Sequence, residues 1–382
     1  MKNICAVIIL IVLAFSCKNA SDGSKEAPIV TIRIDSEAKA KPAKLSDIVD
    51  SVRVIKLETT ERSNIKAHRP VHIGSDRIIM ADRKEVLIFD QNGRFVANIN
   101  KRGKGPLEYT QIGDIYAEMD ERLIYIFNHR KALVFGMDGS FKESIAVEDS
   151  VDQVPIYFRK LNPDTWVSAV FQSYNDSVPL VHLNTYNKDF HWKSSFDTRV
   201  RDAVGKKGAW SIHSYAYKSP LFYREGKTYT HEPYTDTVFQ VTESRQIPFL
   251  AIDYAQPRKE LAASFHREAR PRNADRISPG DYRLSKHYVY CDFRKKKEGY
   301  RTVFDIETGQ PIFHTNLNTM SHGFENDFFA NVASVFWPKY IQENLLISTV
   351  LPVTMSEEQR QVYGVEEDDN AVLFVAYEKQ SE

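Results

Sequence analysis

The chain has 382 residues, 42% of them apolar and 12% aromatic, which is the composition of an ordinary globular domain and excludes a disordered chain. Its 51 basic residues face 51 acidic ones, so there is no global field to draw in nucleic acid or an anionic membrane surface, and no nucleic-acid partner is expected.

From the N-terminus, Lys2 precedes an unbroken apolar run from Ile4 to Phe15 that ends at Ser16-Cys17. The run is too short to cross a bilayer, which takes about 20 residues. A short basic start, an apolar segment of this length and a small residue before the cut describe a secretory signal over residues 1–16. The stretch "LAFSC" resembles the lipobox of bacterial lipoproteins, which implies Cys17 as the lipidation site and a membrane attached through the N-terminal lipid. Ala14 stands where the lipobox usually carries leucine, so ordinary secretion or an uncleaved anchor stay open as alternatives. The polar residues that follow read as a lipidated tether over 17–44, and residues 45–382 as one further domain. Cys5 leaves with the signal and Cys17 takes the lipid, so Cys291 has no partner for an internal disulfide. In the strand-like "HYVYCDF" Cys291 is expected as a small buried hydrophobe rather than a reactive thiol.

The body of the chain repeats itself. "VLIFDQNGRFVANI" (86–99) superposes on "ALVFGMDGSFKESI" (132–145), with Phe89 on Phe135, Gly93 on Gly139, Phe95 on Phe141 and Ile99 on Ile145. Each copy reads as strand, tight turn, strand, with Asn92-Gly93 or Asp138-Gly139 supplying two positive backbone angles. Further apolar runs precede each copy, and weaker copies follow at 166–192, 227–252 and 287–313. Small antiparallel sheets repeated every 40 to 50 residues or so are the units of radial propellers, whose closed ring removes open sheet edges. The predicted fold is all-β, a six-bladed β-propeller with antiparallel blades. The early strand "VRVIKLE" (52–58) completes the last blade, so both chain ends close the ring. An open solenoid or a sandwich is the alternative. One or two short helical insertions are expected, from 257–271 and 356–364, the second with Ser356 and Gln359 as a capping box and Gly364 as its stop.

Candidate sites are few. "NINKRGKGPLEYTQIGDI" (98–115) looks like a phosphate loop, but Pro106 follows Gly103-Lys104-Gly105, no Ser or Thr is in place, and a strand follows instead of a helix. Two readings remain. Glu108 and Tyr109 pin the crossing between two blades by hydrogen bonds, or Lys101, Arg102, Lys104, Glu108 and Tyr109 line the mouth of the central channel. No His or Cys spacing supports a metal, and no cofactor is expected. The acidic run Glu366 to Asp369 reads as a solvated turn or a calcium loop. The basic runs around Arg267 and Arg270 and at Arg294 to Lys297 read as solvated surface, or as a rim for anionic glycan. Trp210, Tyr215 and Tyr217 read as core aromatics, or as faces on which sugars stack.

"LSDIVDSVRVIKLETT" (45–60), "IFDQNGRFVANINKRGKGPLEY" (88–109), "YTDTVFQV" (234–241) and "VFWPKYIQENLL" (335–346) together resemble the six-bladed propeller lipoproteins of glycan-degrading anaerobic Gram-negative bacteria. The resemblance implies an NHL-like or TolB-like propeller in the cell envelope, on the outer membrane, and supplies no catalytic residues. Two functions fit. One is a monomeric binding module for a glycan or a protein partner. The other is a glycan lyase or hydrolase with acid and base at the channel mouth, for which Glu108, Tyr109 and His129 are candidates.

Overall fold

The computed structural model describes residues 30–65, 69–128, 130–148, 155–171, 181–197, 221–231, 236–257, 275–318, 322–328 and 335–379. Two strands, β1 (Val30–Ile34) and β2 (Val49–Lys56), precede the first blade. That blade holds β3 (Arg69–Ile73), β4 (Arg77–Ala81), β5 (Val86–Asp90) and β6 (Phe95–Ile99). The second holds β7 (Asp114–Glu118), β8 (Leu123–Asn128), β9 (Lys131–Gly136) and β10 (Phe141–Ala146). The third holds β11 (Pro155–Asn162), β12 (Thr165–Phe171), β13 (Val181–Asn187) and β14 (Trp192–Asp197). The fourth holds β15 (Leu221–Arg224), β16 (Lys227–Thr230), β17 (Thr237–Val241) and β18 (Gln246–Tyr254). The fifth holds β19 (Ile277–Leu284), β20 (Tyr288–Lys295), β21 (Glu298–Asp305) and β22 (Pro311–Asn316). After a small pair, β23 (Phe324–Glu325) and β24 (Val335–Phe336), the sixth is built from β25 (Tyr340–Gln342), β26 (Leu345–Val350) and β27 (Val372–Glu378).

The sixth blade lacks a fourth strand of its own, and β2 supplies it, pairing antiparallel with β27 from Val49 opposite Glu378 to Lys56 opposite Val372. Ring closure by the two chain ends therefore holds, and the fold is a six-bladed propeller. The helix α1 (Glu357–Tyr363) carries the expected cap. Ser356 accepts from Gln359 N, Gln359 Oε1 accepts from Ser356 N, and Gly364 ends the helix in the left-handed region at φ 59. It lies between β26 and β27, inside the sixth blade. The helix expected at 257–271 falls outside the described residues.

The tether expectation needs correcting in its second half. From Val30 onward the chain belongs to the fold, because "VTIRI" alternates apolar and polar residues and finds a partner. β1 adds to the fourth blade as a fifth strand, parallel to β18, with Val30 opposite Leu250 and Ile34 opposite Tyr254. Ile32 and Ile34 are fully buried, packed among Val289, Cys291, Phe293 and Phe304 of the fifth blade. Cys291 is itself fully buried, as expected of a small hydrophobe, and burial pushes its thiol pKa up.

The repeated hairpins differ from expectation in one respect. Gly93 and Gly139 have φ near +84° and +80°, but Asn92 and Asp138 do not share the left-handed conformation. The glycine amide donates instead to the carbonyl three residues back, Gly93 to Asp90 at 3.0 Å and Gly139 to Gly136 at 2.9 Å, so each turn is a three-residue loop with a glycine bulge, and in the first Asp90 Oδ1 also accepts from Asn92 N and Arg94 N. These glycines also leave room for the neighbouring blade. A Cβ on Gly93 would stand 2.0 Å from Lys56 O of β2, and one on Gly139 would stand 2.8 Å from Ala97 Cβ of β6. Gly309 repeats the contact, 2.4 Å from Thr31 O of β1. Each turn thus presses on the outermost strand of the preceding blade, and β1 fills for the fifth blade the seat that β2 fills for the first.

Candidate functional site: the axial cavity

The first strand of every blade faces the axis, and β3, β7, β11, β15, β19 and β25 together line a cavity of about 470 Å³. Its lining includes the turn residues Met119 and Asp120, which follow β7, and Glu343, which follows β25. The cavity therefore sits toward the end of the ring where innermost strands turn back into second strands.

Ionisable groups alternate around the axis. The first, third and fifth blades contribute His72, Arg159 and Arg283; the second, fourth and sixth contribute Glu118 with Asp120, Tyr223, and Glu343. Local backbone explains some of these placements. β11 carries a bulge at Ile156/Phe158, with Tyr157 at φ 63. Beyond the bulge, Phe158 N and Arg159 Nη1 both donate to Asp114 Oδ2 of the second blade, each at 2.8 Å. Lys160 Nζ reaches Glu118 Oε2 at 2.7 Å, closing a second tie between these blades. Behind the ties, Phe127 stacks on Phe158 at 4.1 Å between ring centroids, with Trp166 edge-on to Phe127.

Arg283 is held from behind by Asp292, at 2.9 Å, a carboxylate it shares with Arg301 at 3.0 Å. Its Nε is buried with no hydrogen-bond partner among the described residues. Gln342 holds the frame together, since its amide exchanges two hydrogen bonds with the backbone of Ile73, at 2.8 and 3.0 Å, joining the sixth blade to the first. Burial lowers the His72 pKa to about 4, so its imidazole is neutral at physiological pH. Burial also raises the Tyr223 phenol pKa, and Glu343, Glu118 and Asp120 add to it, so carboxylates from two blades surround this ring.

Glu343 also borders a second cavity of about 280 Å³, lined by Lys286, His287 and Glu378 among others. Glu378 is only 2% exposed, and burial drives its carboxyl up to about 7 against the hydrogen bonds it accepts.

The loop singled out in the sequence lies elsewhere. Residues 100–113 lead into the start of β7, whereas Asp120 follows its far end. Tyr109 is fully buried, its hydroxyl 2.8 Å from Lys84 O and 3.0 Å from Ile99 O while accepting from Lys101 N at 3.3 Å. Glu108 Oε2 accepts from Gly105 N at 2.8 Å, and a Cβ on Gly103 would collide with the same oxygen. Lys131 closes the loop by donating to the carbonyls of Gly105, Pro106 and Glu108. Arg102 and Lys104 are exposed, and none of these four candidates lines the axial cavity. The pinning reading is the one the geometry fits. Cys17, His129, Trp210, Tyr215, Tyr217, Arg267 and Arg270 lie outside the described residues. The acidic run forms a turn, with Asp369 Oδ2 accepting from Glu366 N.

Sequence reasoning missed the cavity-lining residues because each sits alone on a different strand. One signal was there: the first strand of several units places an aromatic ring within two residues of a charged group, as in Tyr116 and Glu118, Tyr157 and Arg159, and Tyr282-Arg283.

Comparisons with known proteins agree on the architecture. The crystal structure of a protein from Bacteroides fragilis, named an exported protein, is similar at TM-score 0.65 and 14% identity, over 92% of this chain and 100% of that one. A member of the DUF4221 family from Bacteroides vulgatus is similar at TM-score 0.50 and 9% identity, over 87% and 98%. Likeness at such identities is a likeness of fold alone. No curated protein matches the chain. A family described as a domain of unknown function, DUF4934, matches residues 29–377, and the chain belongs to that family.

Proposed function

We propose that the chain is an exported, lipid-anchored protein of the cell envelope, NHL-like or TolB-like in its propeller, which binds a hydroxyl-rich small ligand such as a glycan end in its axial cavity. The observation that carries this is a concave site with hydrogen-bonding groups still free. The hydroxyls of Tyr116 and Tyr223, the carboxylate of Asp120 and the ring of His72 line the cavity and make no hydrogen bond among the described residues. Planar polar groups beside aromatic faces suit sugars, and a rigid ring that presents them suits recognition. Binding is favoured over catalysis because Arg159, Arg283 and Glu118 are each tied to an opposite charge, which fixes hydrogen-bonding groups instead of poising a proton. The signal and lipobox resemblance, with the exported name of the Bacteroides fragilis structure, support the envelope location.

The test is thermal shift of the purified full chain in detergent against neutral, amino and acidic oligosaccharides, since binding to the native state raises the midpoint by mass action. A rise with one sugar class that disappears in Tyr223→Ala supports the reading; no rise across the panel overturns it. For the anchor, Cys17→Ala is expected to move the protein from the membrane to the soluble fraction. Retention of a processed variant on membranes would rule out lipid anchoring.

A further inference from the structure

The charges around the axial cavity do not cancel evenly. Glu118, Arg159 and Arg283 each have an opposite charge behind them, Lys160, Asp114 and Asp292, at 2.7, 2.8 and 2.9 Å. The excess of positive charge, Arg283 and Arg301 on one carboxylate, stands on the fifth blade, with Arg301 stacked over Trp337 at 4.6 Å. Asp120 on the second blade makes no ion pair among the described residues. Among the described residues, the carboxylate of Glu343 on the sixth accepts one hydrogen bond, from the Glu225 amide at 2.8 Å. Two carboxylates with no ion pair among the described residues thus face the axial cavity from separate blades, Glu343 also bordering the second cavity that Lys286 lines. Between them, on the fourth blade, Tyr223 is 42% exposed, and Phe222 and Tyr116 line the same space. Carboxylates flanking an aromatic face are what binds a cation, by charge-assisted hydrogen bonds and by attraction to the ring. A carboxylate-bearing sugar would meet these two groups as like charges.

We propose that the ligand of the axial cavity carries a protonated primary amine, as a free hexosamine or its oligomers do, held between Asp120 and Glu343 against the ring of Tyr223. This rests on the sugar-binding reading above and gives that site its ligand class. The sugar hydroxyls then meet His72, Tyr116, Arg159 and Arg283, which line the same cavity.

The test is calorimetric titration of the full chain in detergent with glucosamine oligomers, their N-acetylated forms, galacturonate oligomers and spermidine. Acetylation removes the charge and two donors and adds a carbonyl and a methyl group, so the ligand itself is the first variant, no folding question arises, and the carboxylate variants below separate charge from bulk. Glucosamine oligomers are expected to bind at least about tenfold more tightly than the acetylated ones, the scale of one charge-assisted contact. Asp120→Asn and Glu343→Gln should each reduce that preference while the melting temperature stays in place. Equal or tighter binding of the acetylated or galacturonate oligomers overturns the amine and leaves the sugar reading standing. Binding of spermidine with no sugar bound supports the amine and overturns the sugar. No binding by any of the four overturns both.

Discussion

The crossing loop at residues 100–113 and the axial cavity use similar residues to opposite ends. Both gather charged groups, tyrosines and tight turns. In the loop, Tyr109 is engaged by three backbone groups, Glu108 by Gly105 N, and Lys131 Nζ by three carbonyls. In the cavity, the side chains of Tyr116, Tyr223 and Asp120 make no hydrogen bond among the described residues. Whether a polar group is already satisfied separates a joint from a site better than how much its sequence looks like a motif.

The largest loss of stability is expected at Tyr109. Removing a fully buried aromatic side chain costs about 3–5 kcal/mol, so Tyr109→Ala should lower the urea midpoint sharply while any protein that still folds keeps its ligand affinity. A loss of affinity with stability intact would make the loop part of the site.

Around the two cavities, Glu378 in the second and His72 in the axial one, the largest effect is expected from pH. Glu378 holds its proton more tightly folded, near pH 7, than at the ordinary value of 4.5. Between those values the native state binds more protons than the unfolded one, so this group's contribution is full below pH 4.5 and is lost as pH rises through 7. The loss amounts to about 3 kcal/mol. His72, lowered to about 4, acts in the opposite sense, contributing above pH 6.5 and losing that as pH falls toward 4. The two slopes offset each other in wild type. Glu378→Gln should therefore gain on wild type steadily from pH 4.5 to 7 in denaturant titrations, and parallel curves would refute the assignment.

A smaller effect sharpens the role of the repeat. Gly93→Ala puts a side chain at positive φ and into Lys56 O of β2, and should cost about 1–3 kcal/mol by straining the closure between the sixth and first blades. An unchanged urea midpoint would mean that the turn has room to shift. The smallest effects complete the contrast: Lys104→Ala and Asp120→Asn should each change stability by no more than about 0.5 kcal/mol. Of these two, Asp120→Asn should change affinity for an amine and Lys104→Ala should not.

Much of the fold was legible because its signals are local. The offset between Gly93 and Gly139, the Ser356 capping box and the apolar runs before each hairpin are short-range patterns, and each corresponds to an element of the ring. The loop at 98–115 was legible as a failed phosphate motif, and Pro106 with the following strand explains why. β1 was obscured by the polar residues around it: five residues with alternating burial carry too little signal to outweigh a tether-like neighbourhood. The partner that makes them a strand, β18, is 220 positions away.

By itself, then, the sequence determined the class of the fold, the number of blades, the hairpin positions and the strand that closes the ring. Each of these follows from hydrogen-bonding and burial patterns that a few neighbouring residues satisfy. Only the tertiary structure decided where β1 goes, which end of the axis holds the cavity, and that Asp120, Tyr223 and Glu343 meet there. These groups come from different blades, and what brings them together is the ring's closure, which packs the first strands around one axis.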